Sequence, residues 1–189
     1  RGVKRMISGI TGGVGSGKST VLHMLKEEYG ASIYMADEYG HMAFMPDYPS
    51  FKAIVELFGA SILDRCGGID RDKVAEIVYA DDKKLKRINA IVHPFVWQHI
   101  EEDIEKNHES RLHIIESAIL IEAGYESMCD KIWGVFTTDE IRIQRLIDRR
   151  GYTREKALQI IKNQMSTWEL RSRVDEVIEN DGDLSYLRK

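Results

Sequence analysis

Short apolar runs alternate along the chain with longer segments whose apolar residues recur at helical spacing. The β-branched run at 6–11 predicts a buried first strand, and the apolar positions between 21 and 29 predict an amphipathic helix after it. Further apolar runs predict strands at 31–35, 112–115, 131–136 and 174–178. Because strands alternate with helices, the pattern predicts an α/β fold with a mainly parallel five-stranded sheet covered on both faces.

The stretch between the second and third predicted strands has helical rather than strand periodicity. It predicts a helix at about 36–45, one at 51–58 that ends at Gly59, and one at 70–78 capped by Asp70. A further helix is predicted from Asp81 or Asp82 to Val92, with Pro94 in the first turn of the next one, where the missing N–H of proline costs nothing. This block predicts an inserted helical subdomain on the substrate side.

Two helices are predicted between the fourth and fifth strands. The first begins at Asp139, and the second follows an N-cap at Thr153; together they predict a small helical lid, with Gly151 as its hinge. The predicted organisation is one domain over 1–189. Its subregions are a nucleotide-binding core at 1–45 and 111–139, the helical subdomain at 46–110, the lid at 140–173, and the last strand with a C-terminal helix at 174–189.

A glycine-rich stretch, TGGVGSGKST at 11–20, joins the first predicted strand to the first helix. Gly12, Gly17, Lys18 and Ser19 fit the phosphate-binding pattern G-x-x-x-x-G-K-[ST], the P-loop. Glycines let successive backbone N–H groups face one phosphate group, and the helix N-terminus adds a positive dipole end. Lys18 is predicted to reach the β- and γ-phosphates of ATP, and the Ser19 hydroxyl to ligate Mg²⁺. The predicted ATP-binding residues here are Gly12, Gly13, Val14, Gly15, Ser16, Gly17, Lys18, Ser19 and Thr20.

Other motif assignments fail on single residues. A dinucleotide fingerprint G-x-G-x-x-G would need glycine at 18 or 20, where Lys18 and Thr20 stand. His108-Glu109 begins a zinc-protease motif, but Leu112 occupies the position of its second histidine. Two D-x-x-G stretches are too short to support a GTPase without an N-K-x-D motif.

Composition narrows the class of protein without choosing a substrate. The chain has 189 residues, 43% hydrophobic and 31% charged, which suffices for one substantial core. The net charge of −4 argues against general affinity for nucleic acids or anionic membranes, and the basic cluster at 83–87 is better explained as a solvated helix face. Cys66 and Cys129 form no C-x-x-C pair, and no apolar run reaches transmembrane length. We therefore expect a soluble cytoplasmic protein with no nucleic-acid or membrane partner.

Carboxylates stand at the predicted ends of two strands, where ligands of open α/β sheets bind. Asp37 follows the second strand and Glu116 the third. Phosphoryl transfer needs one group to activate the acceptor hydroxyl and another to organise Mg²⁺ and its waters, and these roles suit Asp37 and Glu116. The alternatives are that Asp37 caps the following helix and that Glu116 is an exposed strand end.

Arginines are concentrated in the predicted lid. Arg142, Arg145 and Arg149 share one helix face by their spacing, and Arg150 and Arg154 follow closely. A solvated helix surface, paired with neighbouring acids, is one explanation. Beside a P-loop, the cluster is better explained by contact with the phosphates of ATP.

These residues together resemble the dephospho-coenzyme A kinase family over nearly the whole chain. The resemblance rests on the P-loop and on an ordered set of shorter segments: Ala36-Asp37, His93-Pro94, Ile119-Leu120-Ile121-Glu122, Arg145, Arg149, Gln164 and the stretch at 175–182. The family often has Asp where this chain has Met35, and Pro where it has Ala118.

The resemblance implies the fold of a P-loop kinase sandwich, with a helical coenzyme A side and a small lid. It implies phosphorylation of the ribose 3′-hydroxyl of dephospho-CoA by ATP with Mg²⁺, giving ADP and coenzyme A. By the same resemblance, Asp37 would activate the acceptor, and Lys18, Arg145 and Arg149 would stabilise the transferring phosphoryl group. His93, Pro94 and Glu122 would join Asp37 on the substrate side, and Asn180 and Gly182 would approach the adenine.

Two alternatives stay open at this point. One is a P-loop kinase for another small acceptor, such as a nucleoside or nucleotide. The other is a nucleotide-sensing module with little transferase activity, which only the Met35 and Ala118 departures support.

Overall fold

Five strands, spread along the chain, form one sheet. The structure, a computed structural model, describes residues 5–182 and residue 187. The strands are β1 (Met6–Thr11), β2 (Ser32–Met35), β3 (Leu112–Glu116), β4 (Lys131–Phe136) and β5 (Glu176–Glu179). They lie in the order β2-β3-β1-β4-β5. The predicted α/β fold with a five-stranded sheet is confirmed.

Eight α-helices and two short 3₁₀ segments connect the strands within the described residues. The α-helices are α1 (Lys18–Tyr29), α2 (Ala36–Met42), α3 (Pro49–Phe58), α4 (Arg71–Ala80), α5 (Asp82–Lys106), α6 (Asp139–Arg150), α7 (Arg154–Lys162) and α8 (Thr167–Ser172). The 3₁₀ segments are Ala60–Ile62 and Tyr125–Met128.

The chain divides into two compact units. One comprises residues 1–34 and 108–189, and the other comprises residues 35–107. The first contains the P-loop and almost the whole sheet, and the second contains α2 to α5. This division does not say which part binds which ligand, so the subregions assigned from the sequence stay a prediction.

Parallel pairing places the central strand β1 between β3 and β4. Ile10 lies opposite Glu116 on one side and Trp133 on the other. The inner strands β1 and β3 are buried along most of their length, as is usual in parallel sheets covered on both faces. Ile10, Ile114 and Val135 are fully buried, and they form part of the core on which the loop after β1 rests.

The helical unit has its own apolar core. Ile54, Ile62, Val74 and Ile88 form a buried cluster contributed by α3, the first 3₁₀ segment, α4 and α5. Asp70 caps α4 by accepting hydrogen bonds from the backbone N–H groups of Asp72 and Lys73, as predicted.

The prediction that one helix ends near Val92 and another begins at Pro94 is wrong. Helix α5 runs without a break from Asp82 to Lys106, with Pro94 inside it. An interior proline removes one backbone hydrogen bond and crowds the preceding turn. The buried residues Ile88, Val96 and Ile100 lie on both sides of the proline, so packing along one continuous face offsets that local cost.

Smaller differences concern the ends of elements. Helix α2 ends at Met42 rather than near 45, and α3 begins at Pro49 rather than at 51. Strand β5 begins at Glu176 rather than 174, and α7 ends at Lys162, so Gln164 lies just beyond it. Gly151 is the left-handed C-cap of α6, with φ 63°. The predicted C-terminal helix lies outside the described residues, apart from residue 187.

Both cysteines are free thiols. Burial, together with the nearby carboxylates of Asp130, Asp175 and Glu126, raises the pKa of Cys129 to about 12. Its thiol is therefore protonated at neutral pH and a poor nucleophile.

The buried histidine of β3 predicts an acid-sensitive contribution to stability. His113 is 0% exposed and shares a 3.0 Å hydrogen bond with the Tyr34 hydroxyl. Burial, and then the charge of Arg5, lower the pKa of His113 from the ordinary value of 6.5, against an opposing contribution from the backbone of Ser110. Because the unfolded chain then takes up a proton first, this contribution is full above the unfolded pKa and is lost as pH falls through the folded value.

We expect the native chain to lose more stability than His113→Gln between about pH 8 and about pH 5. Urea unfolding at both pH values measures this, and His23→Gln, an exposed histidine of α1, is the matched control. Burial also lowers the pKa of His93 in the other unit, so the assignment depends on the difference between variants. Equal losses in the native chain and His113→Gln would contradict it.

Candidate active site

The loop from Gly12 to Gly17 connects the buried end of β1 to the first turn of α1. Three of its glycines have positive φ: Gly12 at 151°, Gly15 at 80° and Gly17 at 92°. L-residues rarely adopt these angles, so the loop conformation itself requires glycine there. The strand–loop–helix context predicted for this motif is confirmed.

Close neighbours explain why side chains are excluded from the loop. A Cβ at Gly12 would meet the backbone carbonyl of Val135, and one at Gly17 would meet the side-chain amide of Asn180. A Cβ at Gly13 would meet the guanidinium of Arg142. The glycines are therefore needed for a second reason beside the exposure of their N–H groups, because other parts of the protein fill the space next to the loop.

The N-terminus of α1 carries no side-chain cap. Gly17 is its N-cap residue, and the first turn contains no acidic residue. In contrast, α4, α5 and α6 are capped by Asp70, Asp81 and Thr138. A helix start without a capping oxygen leaves backbone N–H groups and the positive dipole end available to an anion.

Lys18 and Glu116 lie together at this end of the sheet. The Lys18 ammonium donates a 2.8 Å hydrogen bond to the Gly12 carbonyl and lies 3.6 Å from Glu116 Oε1. Glu116 is the last residue of β3 and is only 6% exposed, so the alternative of an exposed strand end is wrong. The partly buried ammonium thus offsets the negative charge of a buried carboxylate.

The site also offers oxygen atoms of the kind that Mg²⁺ prefers. Ser19 directly follows Lys18 on α1 and is exposed. Thr20 lies in the same turn, and its N–H donates a hydrogen bond to the Gly17 carbonyl. A serine hydroxyl and a carboxylate are hard oxygen ligands, and Mg²⁺ is usually held by one or two such protein groups together with phosphate oxygens. The donor set of Ser19 and Glu116 fits this ion.

Arg142 is buried at 5% exposure and binds the loop rather than facing outward. Its Nε donates to the Val14 carbonyl at 2.8 Å, and its two terminal nitrogens donate to Asp139 and Gln164. Gln164 also accepts a 2.9 Å hydrogen bond from the Val14 N–H. Arg142 is therefore already bonded within the protein, unlike the phosphate contact predicted for the arginine cluster.

Arg145 contacts the loop from the same helix. Its guanidinium donates to the backbone carbonyls of Gly15, Ser16 and Asn180 at 3.0–3.3 Å. Burial, and then the positive charge of Arg149, lower the pKa of Arg145, whereas Asp181 opposes this shift. Arg149 itself is exposed at the end of α6.

Asn180 follows β5 and is 4% exposed. Its side-chain amide donates a 2.8 Å hydrogen bond to the Ser16 carbonyl, and its backbone N–H donates to Phe136. Gly182 is exposed two residues later. Asn180 thus lies against the P-loop, a contact that no local pattern in the sequence predicts.

The remaining predicted substrate residues belong to two different units. Asp37 is exposed in the first turn of α2, and His93 is half-buried beside exposed Pro94 on α5, all in the helical unit. Burial lowers the pKa of His93. Glu122 is exposed in the other unit, after the buried Leu120 and Ile121. Their contacts with a substrate stay a prediction.

Solved structures place the architecture in a known class. A Thermus thermophilus protein, TT1252, superposes with a TM-score of 0.86 at 32% identity, over 98% of this chain and 93% of its own. A dephospho-CoA kinase from Campylobacter jejuni has a TM-score of 0.67 at 22% identity, over 96% and 91%. A shikimate kinase from Acinetobacter baumannii has a TM-score of 0.53 at 14% identity, over 97% and 88%, and these last two show the fold alone. The fold and the loop define a P-loop kinase.

Sequence comparison identifies the family within this class. The family model described as CoaE, dephospho-CoA kinase, matches residues 6–185. A dephospho-CoA kinase of Fusobacterium nucleatum is 39% identical over 188 residues, 97% of this chain and 94% of that protein. One from Carboxydothermus hydrogenoformans is 36% identical over 185 residues, 97% and 89%. The chain belongs to the dephospho-CoA kinase family, and the resemblance found in the sequence is confirmed.

Among the described residues, every helix is too short or too polar to cross a bilayer. The cytoplasmic location and the absence of nucleic-acid partners stay predictions from the sequence.

Proposed function

We propose that this protein transfers the γ-phosphoryl group of ATP to the ribose 3′-hydroxyl of dephospho-CoA, giving ADP and coenzyme A. The observation that carries the proposal is the P-loop with its uncapped helix start, in a chain matched to the family from residue 6 to 185. The reaction needs little covalent chemistry from the protein, so positioning and charge are what its residues supply.

Lys18 and the start of α1 are the proposed phosphate-binding elements. The Lys18 ammonium, held between the Gly12 carbonyl and Glu116, is positioned beside the loop where charge develops on the transferring group. The chemistry that a bound Mg²⁺ would supply is partial neutralisation of the charge on the phosphate groups. Ser19 and Glu116 are the residues proposed to hold it, directly or through its waters.

Asp37 is the proposed acceptor-side carboxylate. It stands two residues beyond the last residue of β2, a strand of the same sheet that ends in the P-loop at β1. Ligands of such sheets bind beyond the carboxyl ends of the strands, which supports a role for this residue in catalysis. His93, Pro94 and Glu122 are proposed as substrate contacts on the family resemblance, and Asn180 and Gly182 as residues near the adenine.

Arg145 and Arg149 are proposed to stabilise the transferring phosphoryl group. Arg145 already binds carbonyls of the loop, and Arg149 follows four residues later on α6, so the two share one face of the helix. Fixed positive side chains beside such a loop stabilise the charge that develops on a transferring phosphoryl group.

Arg149→Ala is therefore expected to lower kcat by about tenfold, or about 1.4 kcal/mol in the barrier. Because Arg149 is exposed, its removal should leave the urea unfolding midpoint unchanged. Arg111→Ala, which removes an exposed arginine directly before β3 and outside the lid cluster, is the control and should retain native kcat. Equal rates in the two variants would remove Arg149 from the proposed role.

The test of the function is ADP release from Mg-ATP with a panel of acceptors: dephospho-CoA, adenosine, AMP, CMP and water alone. Stimulation by dephospho-CoA alone, with coenzyme A formed in equal amount, supports the proposal. Stimulation by a nucleoside or nucleotide instead would assign another acceptor. ATP binding without stimulation by any of them would favour a nucleotide-sensing module.

A further inference from the structure

We propose that Arg142 and Gln164 act together as positioning residues that fix Val14, and with it the P-loop, in the conformation that binds ATP. The inference rests on the proposed function only in taking the loop as an ATP site. It gives Arg142 a role distinct from the phosphate contact expected for the arginine cluster.

The geometry joins both backbone groups of one residue to this pair. The Val14 carbonyl accepts from Arg142 Nε at 2.8 Å, and the Val14 N–H donates to Gln164 Oε1 at 2.9 Å. The same Oε1 accepts from an Arg142 terminal nitrogen at 2.8 Å, which closes the network. Val14 is 128 residues from Arg142 and 150 from Gln164 along the chain, so no local turn can replace these bonds.

The charge of Arg142 is arranged to hold this network. Its remaining terminal nitrogen donates to Asp139 at 2.9 Å, one turn earlier on α6. The arginine side chain is 6% exposed, whereas that of Asp139 is 61% exposed, so the carboxylate anchors the guanidinium from its solvent side. A guanidinium fixed at three nitrogens has little freedom to turn outward toward a ligand.

Two glycines of the loop accommodate the arginine. A Cβ at Gly13 would meet the Arg142 guanidinium, and a Cβ at Gly15 would come within 3.2 Å of Arg142 backbone and side-chain atoms. Arg142 therefore packs directly against a loop whose glycines would otherwise leave it conformationally free. We infer that this support, rather than the loop sequence alone, determines how its amides are aimed.

Some N–H groups of the loop already have acceptors within the protein, and others do not. The N–H of Val14 is used by Gln164, and the N–H of Ser16 is used by the Gly13 carbonyl. Among the backbone hydrogen bonds that the described residues make in loops and turns, none has the N–H of Gly15 or Gly17 as its donor. Fixing Val14 keeps these amides preorganised, which lowers the entropic cost of binding a phosphate group.

The test removes the shared acceptor without changing side-chain length. Gln164→Met should weaken ATP binding about tenfold, the value of a lost hydrogen bond of this kind, as measured by equilibrium titration without any acceptor substrate. Gln164→Glu keeps an oxygen for both donors and should restore binding to within about twofold of native. Gln144→Met is the matched control, because Gln144 is exposed on α6 and bonds only Asp148 in the described contacts.

A second readout separates positioning from general destabilisation. Amide hydrogen exchange in the 11–18 segment should speed up in Gln164→Met, while its urea midpoint stays with that of Gln144→Met. Native ATP affinity in Gln164→Met, or equal weakening in Gln164→Glu, would overturn the proposal. So would a fall in the midpoint that accounts for the whole loss. Because ATP binding is measured alone, an incorrect acceptor assignment leaves this test intact.

Discussion

Replacing Lys18 by methionine is expected to lower kcat/KM for ADP formation by on the order of 10²–10³-fold, the scale found when one preorganised donor is removed. Methionine nearly matches the length of lysine but has no charge to place on the transferring phosphoryl group. Because the lysine would bind the charge that develops in the transition state, kcat should fall more than the affinity for ATP. Steady-state kinetics with separate titrations of ATP and acceptor measure the two effects.

Lys26→Met is the matched control for this variant. Lys26 stands on the same helix, α1, but in its exposed last turn. The same substitution there should leave kcat/KM within about twofold of native, since exposed charges contribute little. A loss in Lys26→Met similar to that in Lys18→Met would show that α1 is sensitive to the substitution itself rather than to the charge at the loop.

Stability must be measured beside activity, because Lys18 also lies against a buried carboxylate. Its removal takes the ammonium away from Glu116, and a loss of roughly 1–3 kcal/mol in the free energy of unfolding follows from an uncompensated buried charge. The double variant Lys18→Met, Glu116→Gln should recover most of that stability. It should not recover activity, and recovery of both would mean that Lys18 acts only on the fold.

Local patterns explain why the P-loop could be predicted from the sequence. The left-handed glycines, the lysine and the strand before them lie within a dozen positions, so short-range spacing carries the information. The same holds for the caps at Asp70 and Thr153, whose side chains accept from N–H groups two or three residues away. The parallel sheet followed from alternating apolar runs, because covered strands are apolar on both faces.

Long-range packing explains what could not be predicted. Pro94 lies inside α5 because buried residues on both sides of it keep one packed face continuous. The preference of proline for helix starts is local and takes no account of such burial. Arg142 shares a helix face with Arg145, so spacing alone assigns both to the phosphates. Only the fold reveals that Arg142 is buried against Val14 and Gln164. A weak signal was available in Asp139, placed three residues before Arg142 on the same helix.

Asp37→Asn is expected to cut kcat by about 10²-fold or more while ATP affinity stays native, because the amide cannot accept the proton of the acceptor hydroxyl. The alternative from the sequence, that Asp37 caps α2, fails on the structure. The N-cap residue of α2 is Met35, no side chain caps the helix, and Asp37 lies one residue inside the first turn. A carboxylate there contributes only a few tenths of a kcal/mol through the helix dipole, so folding should barely change.

The neighbouring carboxylate provides the control for this prediction. Glu38 stands next to Asp37 in the same first turn of α2 and is also exposed. Glu38→Gln removes one negative charge in the same way, so any effect of charge on the helix or on substrate approach should be common to both variants. A large loss of kcat in Asp37→Asn alone assigns the proton-accepting role to that residue. Near-native turnover in Asp37→Asn, or an equal loss in Glu38→Gln, would instead place the activation of the acceptor hydroxyl elsewhere.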